Sequence, residues 1–564
     1  MAGQVETKAH NDRPFFALAL RTAVVGAGER GGPLLRSIAT FANLFQHGGR
    51  PLNHLTEADY VALVPRDHLR QMFLLGVTYR PGFIVNSWEL TGPVHVPRTQ
   101  FTEHRQIAFE TLETLPIRGA ALAAGTRIGT CNYAGRAMPV HIPARMRGRH
   151  THLIGRSDMG KSSLMERMIL DDIAQGHGVA VLDPHGDLVE RLLCLLPERE
   201  IERTIYFNPG DPDFVPLWNP LQPIAGQDIG RTADDLVGAF KSFVTHWGDR
   251  LEHLLRHAFF AFLHLPGSTL LDVANILQNK SPYAEHMRDV FKDTIDNEVA
   301  RRFWIHDFKN YGKDDLGPPR NKLSKLLVNR TVSLMLSQPD CAFNFRRIMD
   351  EGMIFLADLS TVGTEVREVL GCLILSLLHL TALSRSDTVP EERRPFRTYC
   401  DEAHRFITDA LEDLIAETRK YHVGLTLAHQ YMKQFSSRKT DALSSVGATI
   451  IFNVNTKDAR YLVDDLRGLV EIDDLITLDV GEAILRAGTE VVRVSTFEPP
   501  ELQQPNCRDR IVAESRRRYC KPAHEVRHAI HSRCQGGAGF HRTPCPPASS
   551  GDGEVEELPY DVFP

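Results

Sequence analysis

One segment constrains this chain more than any other: residues 155–162 read GRSDMGKS and match the phosphate-binding pattern G-x-x-x-x-G-K-[S/T]. In such a loop the glycines let backbone N–H groups turn toward phosphates, the lysine supplies positive charge, and the hydroxyl offers a ligand to Mg²⁺. The strand-like run HTHLI precedes the motif and the helix-like run SLMERMIL follows it, so the helix N-terminus points at the same anion. The sequence therefore predicts a nucleotide site with contacts from Gly155, Arg156, Ser157, Asp158, Met159, Gly160, Lys161, Ser162 and Ser163.

Two acidic side chains near this loop need separate interpretation. Asp158 stands where many such loops carry glycine; because aspartate tolerates unusual backbone angles, we expect its side chain to point outward. The next strand, VAVLD, ends at Asp183 and runs into the turn PHGD. At the carboxyl end of a parallel strand, Asp183 and His185 could order Mg²⁺-bound water or sense phosphate. A polar turn closed by Gly186 explains the same residues equally well.

A second strand-like run, RTYCDEAH, ends in the adjacent carboxylates of Asp401 and Glu402. Downstream of a phosphate loop, an Asp-Glu pair at a strand end is typical of the second half of an ATPase site. Asp401 would hold a Mg²⁺-bound water, and Glu402 would polarise the attacking water as a general base. Together with Ser162, Asp401 is the predicted contact to Mg²⁺.

Two further residues are predicted to complete this site. Gln430 ends the apolar run GLTLAHQ, where its amide could contact the γ-phosphate and report hydrolysis; a simple strand-end cap is the alternative. Arg419 lies between Asp401 and Gln430 at a predicted helix end. An arginine there could stabilise transferred-phosphoryl charge in a neighbouring subunit, and the alternative is an ordinary surface arginine.

The rhythm of the chain predicts an α/β protein. Apolar strand-like runs alternate with helices over residues 151–225 and again from Ile354, which implies a largely parallel sheet covered on both faces. Residues 228–345 are mostly helical in pattern and would form an insertion within that domain. Residues 14–25 are predicted to hold a buried strand, followed by a helix over Pro33 to Phe45.

Composition excludes several classes of protein. With 42% hydrophobic and 24% charged residues, the 564-residue chain is neither disordered, collagen-like nor a disulfide scaffold. Its formal charge of −6 disfavours a uniformly basic nucleic-acid coat, though not a local basic groove. Most of the acidic excess falls in the last residues, where a Gly/Pro/Ser-rich segment predicts a disordered tail that either docks a partner or only aids solubility.

The nine scattered cysteines are typical of a reducing compartment. The N-terminus lacks an apolar signal-peptide core, and the most apolar stretch, Leu370 to Leu383, is short for a membrane span and contains His379. We therefore expect a cytoplasmic protein without a membrane span.

Two clusters outside the motifs have a functional and a solvated interpretation. Arg145, Arg147 and Arg149 favour a solvated surface, with a ligand- or DNA-facing role as the alternative. Histidines and cysteines crowd the C-terminal helix, where an i, i+4 histidine pair is a workable zinc spacing although most such side chains are solvated. These residues are Cys520, His524, His528, His531 and Cys534.

The motifs resemble one family when they are taken in order. GRSDMGKSS, VLDPHGD, YCDEAH, RKYHVGLTLAHQ and GEAILRAG are similar to the motif series of the HerA/FtsK superfamily of hexameric DNA-pumping ATPases. Within it the chain is most similar to TraG/TraD-type conjugative coupling ATPases found with type IV secretion systems. The resemblance extends over about residues 120–530.

This resemblance implies a RecA-like P-loop motor that uses ATP and Mg²⁺, assembles as a homohexamer and moves DNA, in particular double-stranded DNA. It implies Lys161 at the phosphates, Gln430 as sensor and Arg419 as a finger acting across subunits. The sequence pattern and the resemblance together divide the chain into domains. The pattern predicts a small N-terminal α/β domain (1–90), a β-rich module (91–148), an all-α insertion (228–345), a C-terminal helical extension (501–535) and a disordered acidic tail (536–564). The resemblance implies that the RecA-like domain lies in two parts (149–227 and 346–500).

Membrane-anchored coupling proteins carry N-terminal transmembrane helices that the sequence pattern does not contain. The family resemblance makes a secretion channel or relaxosome one expected partner. The missing helices disfavour docking to such a channel and leave open a HerA-like role in repair or phage defence, with a nuclease as the partner. Two rival functions use the same pocket: a secretion ATPase that moves protein, and a nucleotide-dependent scaffold that does not hydrolyse. Glu402 and Arg419 disfavour the scaffold.

Overall fold

The computed structural model describes residues 15–18, 68, 83–86, 122–133, 136–224, 226–241, 247–278, 281–407, 411–502 and 505–535. The chain divides into two units, residues 1–109 and 110–564. In the first unit, strands β1 (Phe15–Leu18) and β2 (Phe83–Asn86) pair antiparallel. β1 lies within the strand predicted for residues 14–25, but the side chain of Phe16 is exposed rather than buried. The helix predicted over Pro33 to Phe45 lies outside the described residues.

The described strands of the second unit form one large sheet and one small one. The small sheet pairs β8 with β15, and the large sheet has 11 strands in the order β4-β3-β14-β13-β12-β5-β11-β10-β6-β9-β7. The strands are β3 (Thr126–Tyr133), β4 (Arg136–Ile142), β5 (Thr151–Ile154), β6 (Gly178–Asp183), β7 (Thr204–Phe207), β8 (Phe214–Pro216), β9 (Ile354–Asp358), β10 (Phe396–Cys400), β11 (Val423–His429), β12 (Ala448–Ile451), β13 (Glu482–Ala487), β14 (Glu490–Thr496) and β15 (Cys520–Pro522).

The large sheet is parallel from β12 across to β7 and antiparallel from β13 to β4. Alternate residues of β6 show why it is covered on both sides: Val179 and Val181 pack into one core cluster, and Ala180 and Leu182 into the other. This largely parallel, doubly covered sheet is the α/β architecture that the sequence predicts.

The helices connect the strands and cover both faces. Those of the segment between β8 and β9 pack with α12 and α13 against one face, and α2, α3 and α17 pack against the other. They are α1 (Ala144–Arg147), α2 (Lys161–Ala174), α3 (Asp187–Leu195), α4 (Ile229–Lys241), α5 (Asp249–Leu263), α6 (Leu270–Ile276), α7 (Pro282–Thr294), α8 (Glu298–Arg302), α9 (Lys313–Leu327), α10 (Arg330–Ser337), α11 (Phe345–Glu351), α12 (Thr364–Ser384), α13 (Leu411–Thr418), α14 (Ser437–Ser444), α15 (Thr456–Asp465), α16 (Ile472–Ile476), α17 (Arg508–Tyr519) and α18 (Ala523–Gln535).

Helix α12 contains the apolar stretch Leu370 to Leu383, which the sequence pattern predicts to be too short for a membrane span. The helical segment Thr364–Asp387 is in fact long and apolar enough to span a membrane by length and composition, and it is the one such helix in the described part of the chain. Within the fold, 83% of its most apolar window is buried. Its apolar residues therefore serve the core between the sheet and the helical segment.

Arg147 corrects one expectation, because it is buried rather than part of a solvated cluster, whereas Arg145 and Arg149 are exposed. Its guanidinium lies 2.6 Å from the carboxylate of Asp172 on α2 and 2.7 Å from the hydroxyl of Tyr399 on β10. Burial alone would raise the pKa of Asp172, but Arg147 holds it at about 2. The buried pair thus ties α1 to the P-loop helix and to the centre of the sheet.

Candidate nucleotide site

The strand order brings the predicted site residues to one edge of the sheet. β5, β11, β10 and β6 are adjacent and parallel, so their carboxyl ends meet at the same edge. The loop after β5 is the phosphate-binding motif, β10 ends before Asp401 and Glu402, and β11 ends before Gln430. In an open parallel sheet, ligands bind in the crevice outside these carboxyl ends.

Both glycines of the phosphate-binding loop are constrained, Gly155 by close packing and Gly160 by its backbone conformation. A Cβ atom on Gly155 would lie 2.5 Å from Cβ of Phe452, so a larger residue would displace the strand beside it. Gly160 has a φ of 106°, a conformation that L side chains rarely adopt, and it begins α2 as the N-cap. Asp158 also has a left-handed φ of 60°, and its side chain is exposed.

Lys161 is buried and folds back over the loop. Its Nζ donates to the carbonyl oxygens of Gly155, at 2.6 Å, and Arg156, at 2.7 Å. Burial lowers the pKa of Lys161, and the nearby carboxylates of Glu402 and Asp401 oppose that shift. The next residue, Ser162, is exposed at the start of α2.

Neighbouring loops support this motif in a way that the sequence did not predict. The carbonyl oxygen of Asn453, just after β12, accepts from the N–H of Arg156 at 2.8 Å. The N–H of Gly481 donates to the carbonyl oxygen of Met159 at 3.1 Å. Gly481 begins the motif GEAILRAG, so that motif contacts the tip of the phosphate loop.

Asp401 and Glu402 lie beside this lysine. Burial, together with Asp183 and Glu402, raises the pKa of Asp401 to about 6. Glu402 has a left-handed φ of 45° and is 6% exposed. A positive φ at a non-glycine residue is strained, and here it turns the glutamate side chain toward the strand that carries Gln430.

Gln430 contacts Glu402 directly: its Nε2 donates to Oε1 of the glutamate at 2.6 Å. Two residues that the sequence reasoning missed stand next to this pair. Nδ1 of His404 lies 3.4 Å from the other carboxylate oxygen of Glu402, and burial lowers the pKa of His404. Oε1 of Gln434 accepts from the N–H groups of Gln430 and Tyr431. The histidine follows the Asp-Glu pair in YCDEAH, and that proximity was the one available signal.

Asp183 supports the polar-turn interpretation. Its two carboxylate oxygens accept from the N–H groups of His185, at 2.9 Å, and Val189, at 3.0 Å. Gly186 closes the turn with a φ of 87°. The His185 side chain is exposed. Asp183 thus caps the start of α3, and it also contributes negative charge next to Asp401.

Arg419 does not join this group of residues. It lies in the turn Arg419–Tyr421 that precedes β11, at the opposite end of the strand from Gln430. The strand has 7 residues and spans about 20 Å at about 3.3 Å per residue. The Arg419 side chain is exposed and makes no hydrogen bond or ion pair with the described residues.

The C-terminal histidines and cysteines form no metal site among the residues described. No group of three or more His, Cys, Asp or Glu side chains there could hold a metal ion. The described side chains include those of Cys520 and His524 but not that of Cys534. β15 and α18 instead pack against β8 and the helical segment.

No protein-family model and no curated protein sequence matches the chain. Its fold is similar to that of the bacterial conjugative coupling protein TrwBdeltaN70, with a TM-score of 0.48, 14% identity, and coverage of 68% of this chain and 91% of that chain. TrwB in complex with ADP and Mg²⁺ gives a TM-score of 0.49 at 16% identity, covering 70% of this chain and 95% of that one. VirB4 of Thermoanaerobacter pseudethanolicus gives 0.47 at 16% identity, covering 67% and 97%.

Proposed function

We propose that this protein is a Mg²⁺-dependent ATPase that works as a homohexameric double-stranded DNA translocase. The observation that carries the proposal is the 2.6 Å contact between Gln430 and Glu402 near Lys161, since it brings the proposed general base and the proposed γ-phosphate sensor together at the sheet edge that holds the lysine. A carboxylate pair and an exposed hydroxyl are also the oxygen donors that Mg²⁺ prefers.

Each residue has a defined role in this proposal. Lys161 leaves the carbonyl oxygens of Gly155 and Arg156 and neutralises the β- and γ-phosphates, which the backbone N–H groups of the loop surround. Ser162 and, through water, Asp401 would hold Mg²⁺, which would supply charge stabilisation at the transferred phosphoryl group. Glu402 accepts the proton of the attacking water.

Gln430 has two competing partners under this proposal. Its amide donates to Glu402 when no phosphate is near, and a γ-phosphate oxygen offers a second acceptor in the same crevice. Moving from one to the other would free an oxygen of Glu402 for the attacking water. The sensor would thereby couple nucleotide binding to activation of the base.

The position of Arg419 supports an assembly of several subunits. It lies about 20 Å from the phosphate edge of its own sheet, and no acid pairs with it among the described residues. In this proposal Arg419 acts at the site of another subunit, because it lies far from its own, and there it would stabilise charge in the transition state. In a closed ring, each subunit would supply its Arg419 to the nucleotide site of the next subunit.

The cargo and the pathway rest on the motif resemblance. TrwB is a conjugative coupling protein that has been solved with ADPNP and with ADP and Mg²⁺. By the motif resemblance, the partner of this chain is DNA together with a secretion channel or relaxosome. A HerA-like role beside a nuclease uses the same motor.

The proposal is tested by the rate of ATP hydrolysis with and without double-stranded DNA. We expect stimulation of wild-type protein and turnover close to zero for Glu402→Gln under both conditions. Hydrolysis that DNA does not stimulate would favour a protein-moving secretion ATPase, and nucleotide binding without hydrolysis would favour the scaffold. Single-particle images with nucleotide would measure the number of subunits in the ring.

A further inference from the structure

Two side chains that the proposed chemistry does not use, His404 and Gln434, extend the contact between Glu402 and Gln430 into a ring of side chains with one gap. Gln430 donates to Oε1 of Glu402 at 2.6 Å. His404 lies between the other carboxylate oxygen and Gln434: its Nδ1 is 3.4 Å from Oε2 of Glu402, and its Nε2 is 3.4 Å from Nε2 of Gln434. Oε1 of Gln434 returns to the N–H of Gln430 at 3.0 Å.

One arrangement of protons satisfies every contact in this ring. A neutral His404 that carries its proton on Nδ1 donates toward Glu402 and accepts on Nε2 from the amide of Gln434. The Gln434 oxygen then faces two backbone donors, Gln430 and Tyr431. Every donor in the ring then faces an acceptor, so no contact places two donors or two acceptors opposite each other.

Two buried atoms point to the part of the ring that is not yet closed. Oε2 of Glu402 and Nδ1 of His404 are both buried and make no hydrogen bond within the structure. An unsatisfied buried polar atom destabilises a fold, so the two atoms would both be satisfied by approaching each other. The strained φ of Glu402 places its carboxylate within reach of that contact.

We propose that His404 and Gln434 are positioning residues that hold the Glu402 carboxylate in place when Gln430 turns to the γ-phosphate. This inference rests on the proposed ATPase function and adds two residues to it. His404 keeps the base aimed after its first partner leaves. Gln434 holds His404 on one side and fixes the bend of the sensor loop on the other, so base and sensor move as a coupled pair.

The test is a double-mutant cycle on kcat and on the dissociation constant for ATP, with His404→Ala, Gln434→Ala and the double variant. We expect each single variant to lower kcat roughly tenfold or more, because small misplacements of a catalytic group are costly, with ATP affinity changed less than about twofold. The double variant should be no slower than either single, because both break the same chain of contacts. His306→Ala and Gln175→Ala, at exposed positions, serve as matched controls.

His404→Asn retains a donor near Nδ1 and should restore part of the lost kcat, which a purely structural role would not predict. Circular dichroism melting of each variant checks folding, and His404→Asn takes the place of His404→Ala if the latter unfolds. Unchanged kcat in the single variants, multiplicative losses in the double, or an equal loss of ATP affinity would overturn the inference alone. A wild-type protein without ATPase activity would overturn the proposed function itself and this inference with it.

Discussion

The side-chain amide of Gln430 donates to the carboxylate of Glu402 at 2.6 Å, so residues that follow two neighbouring strands are linked directly by a hydrogen bond. The contact crosses from the end of β11 to the turn after β10, which are adjacent in the sheet. Changes at either residue should therefore affect chemistry without dismantling the fold, because a hydrogen bond at the strand ends is not part of the core.

Glu402→Gln should abolish turnover while the protein stays folded. A glutamine at this position still offers Oε1 to Gln430, but it cannot accept a proton from water. We expect kcat to fall at least 100-fold, within the range lost with a general base, while ATP still binds. Steady-state hydrolysis and titration with a fluorescent ATP analogue measure the two quantities. Glu202→Gln, at an exposed position, is the control, and a retained kcat in Glu402→Gln would assign the base elsewhere.

Arg419→Ala and Lys161→Ala should complement each other in mixed assemblies. Lys161→Ala removes the positive charge that would face the phosphates and should weaken ATP affinity at least tenfold. Arg419→Ala removes the proposed arginine finger. Each alone should be nearly inactive. In a mixture, a subunit with an intact loop can receive an intact arginine from its neighbour, so part of the ATPase activity should return. Mixing in a range of ratios measures it, with Lys309→Ala as the exposed control; no recovery at any ratio would contradict action across subunits.

Asp172→Asn should destabilise the fold because it leaves Arg147 charged and buried without its partner. Breaking a buried ion pair costs about 3–5 kcal/mol of the free energy of unfolding. The pKa of Asp172 is about 2 in the fold, below its ordinary value of 3.8. Its stabilising contribution is therefore present above about pH 4 and lost as the pH falls toward 2. Urea unfolding at pH 7 measures the change; Asp171→Asn, on the same helix, should alter stability by less than about 1 kcal/mol.

Asp235 on α4 should give the opposite pH dependence. Burial, with the nearby carboxylates of Asp234, Asp413 and Glu417, raises its pKa to about 6 against the attraction of Arg231. The folded state thus binds more protons than the unfolded state between about pH 4 and 6, so this group lowers stability as the pH rises through that window. Asp235→Asn should remove that loss and stabilise the protein by about 3 kcal/mol at pH 7. Thermal melting at pH 5 and pH 8 tests it, and an equal effect at both would refute the assignment.

Local pattern was enough to predict the strands and the loop that carry Lys161, Asp401, Glu402 and Gln430, because each depends on a few neighbouring residues. The packing of Asn453 and Gly481 against the phosphate loop was not predictable in this way. Those contacts join strands that are distant in sequence, and no local period reports which strands become neighbours.

Burial of charged and polar side chains was missed for the same reason. Arg147 sits in an arginine-rich stretch that resembles a solvated face, and only its pairing with Asp172 and Tyr399 explains its place in the interior. Likewise His152 and His429 lie with their Nε2 atoms 2.6 Å apart in the core, although each strand shows only one histidine in an apolar run. Partners across the sheet decide such positions.

The pairing of β3 with β14 has a consequence for how the chain is made. Gly129 and Thr130 pair with Thr496 and Ser495, and a Cβ on Gly129 would lie 2.2 Å from the carbonyl oxygen of Ser495. A ribosome adds roughly 5–20 residues per second, so β3 and β4 leave the exit tunnel tens of seconds before β14 exists. During that interval the β3–β4 hairpin has an open edge that other nascent chains could join. Chaperone binding during translation, or a translational pause between β4 and β14, should therefore change the yield of folded protein.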